Sequence, residues 1–219
     1  MAPPKSRLPQ LPDLDLHDVV EVSAASLRPA ERRDGDLVIG ADLAGVDLHA
    51  IQLDDCEWRD VVLDDTDLTG SRLRGVLIER AHAATFRARR SVWRDVRLDT
   101  ARLGSAEMWE SDWAAVEIRG GKLDYLNLRS AKLVDVTFGG CVIGDLDLEG
   151  CTVERMRFTD CSIRRLSVRQ ARLSGVDLRG AEFSALEGIE GLRGALVSQA
   201  QLLDMAPLLA EQAGIEVAP

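Results

Sequence analysis

From Leu43 to Phe183, every fifth residue of this chain is apolar. The run covers 29 positions without a phase slip, from Leu43, Leu48, Leu53 and Trp58 onward to Leu173, Leu178 and Phe183. With 46% of all residues hydrophobic, independent placement would give such a run roughly once in 10^10 chains, counting matches to a fixed template. A second register lies two residues earlier, from Ala41, Val46 and Ile51 to Ala181. Neither register holds a charged residue. Every Asp, Glu, Lys and Arg between 41 and 185 therefore falls on the other three positions of each five.

A helix repeats its face every 3.6 residues and a strand every 2. A period of five fits neither. It fits a short extended segment and a turn, repeated, with two side chains per unit directed inward. Units such as Ala41-Asp42-Leu43-Ala44-Gly45, Thr66-Asp67-Leu68-Thr69-Gly70 and Val176-Asp177-Leu178-Arg179-Gly180 resemble the A(D/N)LXX signature of the pentapeptide-repeat family. The resemblance covers about two-thirds of the chain. It implies an all-β solenoid, a right-handed quadrilateral β-helix in which four pentapeptides complete one square coil. The central Leu or Phe and the residue two before it would point inside.

The second register supports a square section independently. From Gly121 to Leu186 it alternates small and large: Gly121, Leu126, Ala131, Val136, Cys141, Leu146 and so on. With four sides per coil, that alternation puts small residues on one opposed pair and large ones on the other, and the interior is filled. A filled column has no lumen for a substrate. Aromatic residues make up only 4% of the chain, which suits such narrow aliphatic packing. Seven coils and a little more, stacked at ~4.8 Å, predict a rod of roughly 35 Å. Its ends need caps, because open ends present unpaired backbone groups.

The expected organisation is an N-terminal tail and cap over 1–36, the repeat β-helix over 37–186, and a helical cap or dimerisation segment over 187–219. Leu14, Leu16, Val19, Val20 and Val22 would pack over the first coil. Beyond Phe183 the register dissolves. Ser198 followed by Gln201 reads as a capping box, and Pro207 suits a first helical turn. The tail therefore predicts a short C-terminal α-helical cap made of two helices, about 199–205 and 207–213, with Gly214 ending the second. In the family it resembles, this segment covers the last coil and often carries a two-fold contact. That implies a homodimer through Leu202, Met205, Leu208 and Leu209.

The sequence offers little chemistry. Its three histidines, His17, His49 and His82, lie far apart, and no phosphate loop, HExxH or nucleophile elbow is present. The expectation is a non-catalytic protein with no cofactor and no metal. All four cysteines, Cys56, Cys141, Cys151 and Cys161, fall in the inward register. They read as small buried residues rather than ligands or disulfides. Ala83 and Ala88 are the only alanines at central positions, with Phe86 between them and Arg87, Arg89, Arg90, Arg94 and Arg97 crowded around. Volume compensation by the phenyl ring is the favoured reading, and a recognition site the other. Trp109 is the one tryptophan expected to face outward, with Arg89 and Arg129 one coil to either side. A surface cation–π ladder is favoured over an anchor for a partner.

A net charge of -10 disfavours direct binding to nucleic acid or an anionic membrane surface. No apolar run approaches the ~20 residues that span a bilayer, and the first ten residues contain no secretory h-region. Cytoplasm is the expected compartment. Some members of the family resembled confer fluoroquinolone resistance by mimicking duplex DNA and binding gyrase. Residues 41–185 carry 25 acidic and 21 basic residues, a net of -4, against roughly 20 charges for 35 Å of duplex. The first two coils differ. Asp42, Asp47, Asp54, Asp55, Asp60, Asp64, Asp65 and Asp67, with Glu57 and Glu79, leave residues 41–80 at a net of -6. The leading expectation is thus a scaffold or protein-interaction module with an unknown protein partner. The alternative is a DNA-mimicking binder of gyrase or topoisomerase.

Overall fold

Two backbone devices shape the five-residue unit. At six of the units in which the residue before the central apolar one is Asp or Asn, its side chain accepts a hydrogen bond from the backbone N–H two residues on. Asp42 accepts from Ala44 at 3.0 Å, Asp47 from His49 at 3.0 Å and Asp67 from Thr69 at 2.9 Å; Asn127, Asp147 and Asp177 do the same. Short polar side chains commonly stabilise turns in this way. The fifth residue of many units then turns the chain through the left-handed region, with φ between 49° and 56° at Asp55, Asp60, Asp65 and Asp95. Asp visits that region more readily than most residues. Much of the acidity of the repeats is therefore conformational.

The computed structural model describes residues 8–11, 14, 16 and 18–216. The units wind into the right-handed, four-sided solenoid as a parallel β-structure of about 9 turns. Strands Arg72–Glu79, Val92–Asp99, Asp112–Arg119, Lys132–Gly139 and Thr152–Thr159 stack in parallel and turn one corner of the square. His82–Arg87, Arg102–Glu107, Lys122–Asn127 and Val142–Asp147 turn the opposite corner. Within these strands partners are twenty residues apart, as in Leu73↔Trp93, Trp93↔Trp113 and Leu103↔Leu123. At ~4.8 Å per turn the rod is roughly 43 Å long, longer than the repeat register predicts. The excess lies at the ends. Val20–Glu21 pairs with Asp36–Leu37, Arg32–Asp34 with Gln52–Asp54, and Ala195–Leu196 with Val176–Asp177. Parallel pairing uses backbone groups only, so it outruns the apolar pattern.

Of the 29 central residues, all but Phe183 are buried. Like side chains meet one coil apart: Phe138 and Phe158 stack with ring centroids 5.0 Å apart. Two buried hydroxyls of the second register donate to backbone carbonyls, Thr66 to Leu43 and Ser91 to Ala88, each at 2.7 Å, while the buried Ser71 hydroxyl has no partner. Phe86 is buried between Thr66 and Ala106 of its column, which fills the space beside Ala83 and Ala88.

Both caps differ from expectation. At the N-terminal end Val22 packs against the core as expected, but Leu27 is the fully buried residue and Val20 is 65% exposed. Leu14, with Leu11, lies beside Val96 and Ala115 on the side of the rod. Pairing with Asp36–Leu37 turns the Val20 side chain outward, and a short 3-10 turn at Ala24–Ser26 brings Leu27 in. At the C-terminal end the two helices expected are one, Gln199–Gln212, with Pro207 inside it. Proline removes one hydrogen bond, to the carbonyl of residue 203. Leu203 is 67% exposed, so that carbonyl lies on the water side and the helix continues. The Ser198–Gln201 capping box forms as the sequence predicts. Gln201 also donates from Nε2 to the carbonyls of Leu178 and Ala181, both at 2.8 Å. One side chain thus caps the helix and ties it to the last coil.

Candidate interaction surfaces

The column itself offers no internal site. Among the described residues, no group of three His, Cys, Asp or Glu is placed to hold a metal. All four cysteines are free and buried. Burial pushes the Cys56 thiol up to about 11 and the Cys151 thiol up to about 12. A buried thiol held protonated is chemically quiet. The outer walls and the two tips are the surfaces that meet solvent.

The acidic candidates are spread around the square. Asp42 and Asp64 belong to one wall, Asp47 and Asp67 to the next, Asp54 to the third, and Asp60 follows the fourth; Asp55 and Asp65 sit at corners. Several are paired. Asp54 meets Arg32 Nε at 2.9 Å and Arg74 Nε at 3.0 Å, and Asp65 meets Arg87 at 2.8 Å. Asp60 receives Arg80 Nε at 2.6 Å and Nη2 at 2.8 Å, and these bonds hold its carboxyl below the usual range. Asp47 is lowered by the His49 backbone N–H. The cluster is a belt of turn residues and ion pairs, not a single acidic stripe.

The arginine-rich stretch that follows is also engaged. Arg90 meets Glu110 at 2.9 Å, Arg94 meets Asp112 and Arg97 meets Glu117, both at 3.0 Å. Trp109 is half-buried, with Arg89 and Arg90 at 5.9 and 5.0 Å from its ring centroid. Arg129, expected on its other side, turns away to Asp147 at 2.6 Å and Glu149 at 3.3 Å. Asp147 is buried, and a buried carboxylate needs a charged or hydrogen-bonding partner.

One wall is hollowed. Outside Ala83 and Leu103 runs a groove of about 580 Å³ whose rim includes Val62, His82, Arg102 and Lys122. Its floor is low because residues 84 and 104 are Ala and Gly. A Cβ at Gly104 would stand 2.4 Å from the Ala84 carbonyl oxygen, so the close approach of these strands requires glycine. The sequence signal for this groove is a column read every twenty residues, in which Ala84 and Gly104 are neighbours.

On the C-terminal helix, Leu202, Leu208 and Leu209 are exposed, together with Leu203. Met205, expected with them at a dimer contact, is instead 4% exposed and packs into its own chain. It faces the solenoid on the same side as Gln201, one turn away.

A solid parallel β-solenoid built of square coils, with its chemistry confined to walls and tips, is the class that fold and surface define. The pentapeptide-repeat profile matches residues 41–80 and 141–180, eight copies in all. The chain belongs to the pentapeptide-repeat family. Similar solved structures include three forms of QnrB1, described as a plasmid-mediated fluoroquinolone resistance protein. One trypsin-treated form is 16% identical, covers 91% of this chain and 95% of that chain, and has a TM-score of 0.29. The full-length form is 16% identical, with 89% and 95% covered and a TM-score of 0.28. Among curated proteins none matches in sequence. No described helix is long and apolar enough to cross a membrane.

Proposed function

We propose that this protein is a non-catalytic interaction module, a rigid rod that presents its walls and tips to a protein partner. The observation that carries this reading is the dry, filled interior, which leaves no enclosed site to convert a substrate. Family membership supports it. A second copy of the chain is one partner: Leu202 and Leu209 lie on one side of the helix at one tip and are exposed, as are Leu203 and Leu208, and a symmetric contact would cover them. Light scattering on the eluting protein tests that part. A dimer near twice 24.0 kDa is expected, falling to monomer in a Leu202→Asp, Leu209→Asp double variant. For other partners, a tagged rod is used to capture proteins, and each captured protein is purified and titrated against the rod. Failure of every such protein to bind in purified form counts against the reading.

A second reading, binding to gyrase or another topoisomerase by mimicry of DNA, draws on the net of -6 over residues 41–80. That charge approaches duplex density over two coils. The pairing of Asp54, Asp60 and Asp65 with arginine and the spread of acids over four walls favour the first reading. A supercoiling assay decides: mimicry requires inhibition of gyrase, or its protection from a quinolone, at micromolar protein.

A further inference from the structure

The N-terminal segment reaches far beyond the first coil. Val20 pairs with Asp36 at the start of the rod, whereas the Gln10 backbone N–H donates to the Asp135 carboxylate at 3.0 Å. Those two anchors are five coils apart, about 24 Å at ~4.8 Å per coil. The ten residues that join them span at most about 36 Å, so the segment runs along the rod and not around it. Leu11 and Leu14 meet Val96, Arg97, Ala115 and Glu117 on the way. The wall there is suited to apolar side chains. In the outward column beside this corner, Arg74 and Arg94 give way to Ala114 and Val134 before charge returns at Glu154. Two matched ion pairs show the covering. Arg80 holds Asp60 through Nε at 2.6 Å and Nη2 at 2.8 Å, and Arg155 holds Asp135 the same way at 2.6 and 2.9 Å. The side chains of Arg80 and Asp60 are 45% and 49% exposed, those of Arg155 and Asp135 only 18% and 16%.

The sequence of the segment fits that path. Leu11 and Leu14 are three residues apart, and prolines follow Leu8 and Leu11. A residue before proline is held in extended or polyproline conformation. A polyproline chain repeats its face every three residues and advances about 9.3 Å in doing so, close to the ~9.6 Å of two coils. Leucines at this spacing keep step with the coils beneath them, and the prolines lower the entropic cost of laying the chain down. We infer that residues 8–16 are a displaceable strap, an intramolecular ligand that covers an apolar docking strip along this corner. No strand pairing fixes residues 8–16 among those described; two leucines and one backbone hydrogen bond hold them. A strap held so lightly can leave, and the strip it uncovers takes an extended segment with leucines three residues apart. The inference goes beyond the interaction-module reading and stands without it.

The test uses the full chain, labelled with nitrogen-15, and its amide spectrum. A Leu11→Asp, Leu14→Asp double variant should release the strap. The amide signals of Ala114, Ala115, Glu117 and Asp135 are expected to move, while those of the Leu103 and Leu123 wall stay in place and show that the rod is folded. A synthetic peptide of residues 6–17, added to the released variant, should return the moved signals towards their parental positions in a saturable way. The same peptide should move nothing in the parent, whose strip is already covered, and a peptide with aspartate for Leu11 and Leu14 should have no effect. Adding Ala115→Arg to the released variant should weaken peptide binding at least tenfold. Arginine already stands at equivalent corners with φ of 53° to 59°, at Arg80, Arg90 and Arg155, so the backbone accepts it. Identical wall signals in parent and released variant overturn the inference. So does a peptide that leaves the released variant unchanged, or one that binds as well with Ala115→Arg as without it.

Discussion

Trp93 lies flat against Trp113, with ring centroids 5.1 Å apart and planes 15° from parallel. The two occupy the same central position on successive coils, and Ser91 and Ser111 beside them leave room for the indoles. Neither indole N–H has an acceptor, so packing alone holds the pair. Trp93→Ala should cost about 3–5 kcal/mol, the usual range for emptying a large aromatic site. Trp93→Phe, which keeps a ring in the stack, should cost less than half of that. Urea denaturation of both variants measures the ranking.

The two registers make opposite predictions for one acidic and one apolar position. Leu128→Asp places a carboxylate in the dry column, a change of the kind that costs more than about 4 kcal/mol. Asp64→Ala removes a surface carboxylate and its bond to the Thr85 N–H, worth about 1 kcal/mol. Circular dichroism melts should therefore show the first unfolded or strongly destabilised and the second close to the parent. The reverse order would contradict the assigned inward face.

Pro207 lies inside the continuous helix Gln199–Gln212. Proline is about 3 kcal/mol less favourable than alanine inside a helix, and Pro207 is exposed. Pro207→Ala should raise both helical ellipticity and the melting temperature of the cap. Gln201→Ala should act oppositely, since it frees the helix start and the carbonyls of Leu178 and Ala181 together. A fall of the melting temperature in that variant checks the docking.

Acid should weaken the rod in a defined window. Arginine bonds hold the carboxyls of Asp60, Asp135 and Asp177 below their ordinary value. A depressed folded value gives stability that is present above the unfolded value of about 3.9 and is lost as pH falls through the folded one. Melting temperature should be flat from pH 7 down to about 5 and decline below about 4. A decline already complete at pH 5 would show that other groups control acid unfolding.

The fold was legible because its signal is carried by side chains that must be inside. Leu43 and its successors leave no choice of phase, and the Ser198–Gln201 box is a local pattern with a local cause. The caps were less legible because they depend on where a short segment comes to rest. Val20 and Leu27 are both apolar, and only pairing with Asp36–Leu37 decides which of them is buried. Pro207 marks a boundary in the sequence alone, because sequence does not say which side of a helix meets water. Trp109 and Arg129 are one coil apart, yet the buried Asp147 outcompetes the ring for the guanidinium. The hollowed wall is legible only when an outward column is read once per coil, where Ala84 and Gly104 fall on neighbouring coils.

The four cysteines offer the most direct measurement of the central claim, that the inward registers form a dry column closed to solvent. Cys56, Cys141, Cys151 and Cys161 lie in that column on three different coils and are all buried. Titrating the native protein with a colorimetric thiol reagent should show essentially no reaction over the time in which the urea-unfolded chain gives all four thiols. Rapid stoichiometric reaction of even one thiol in the native protein would mean that the column is open, and the account would fail there.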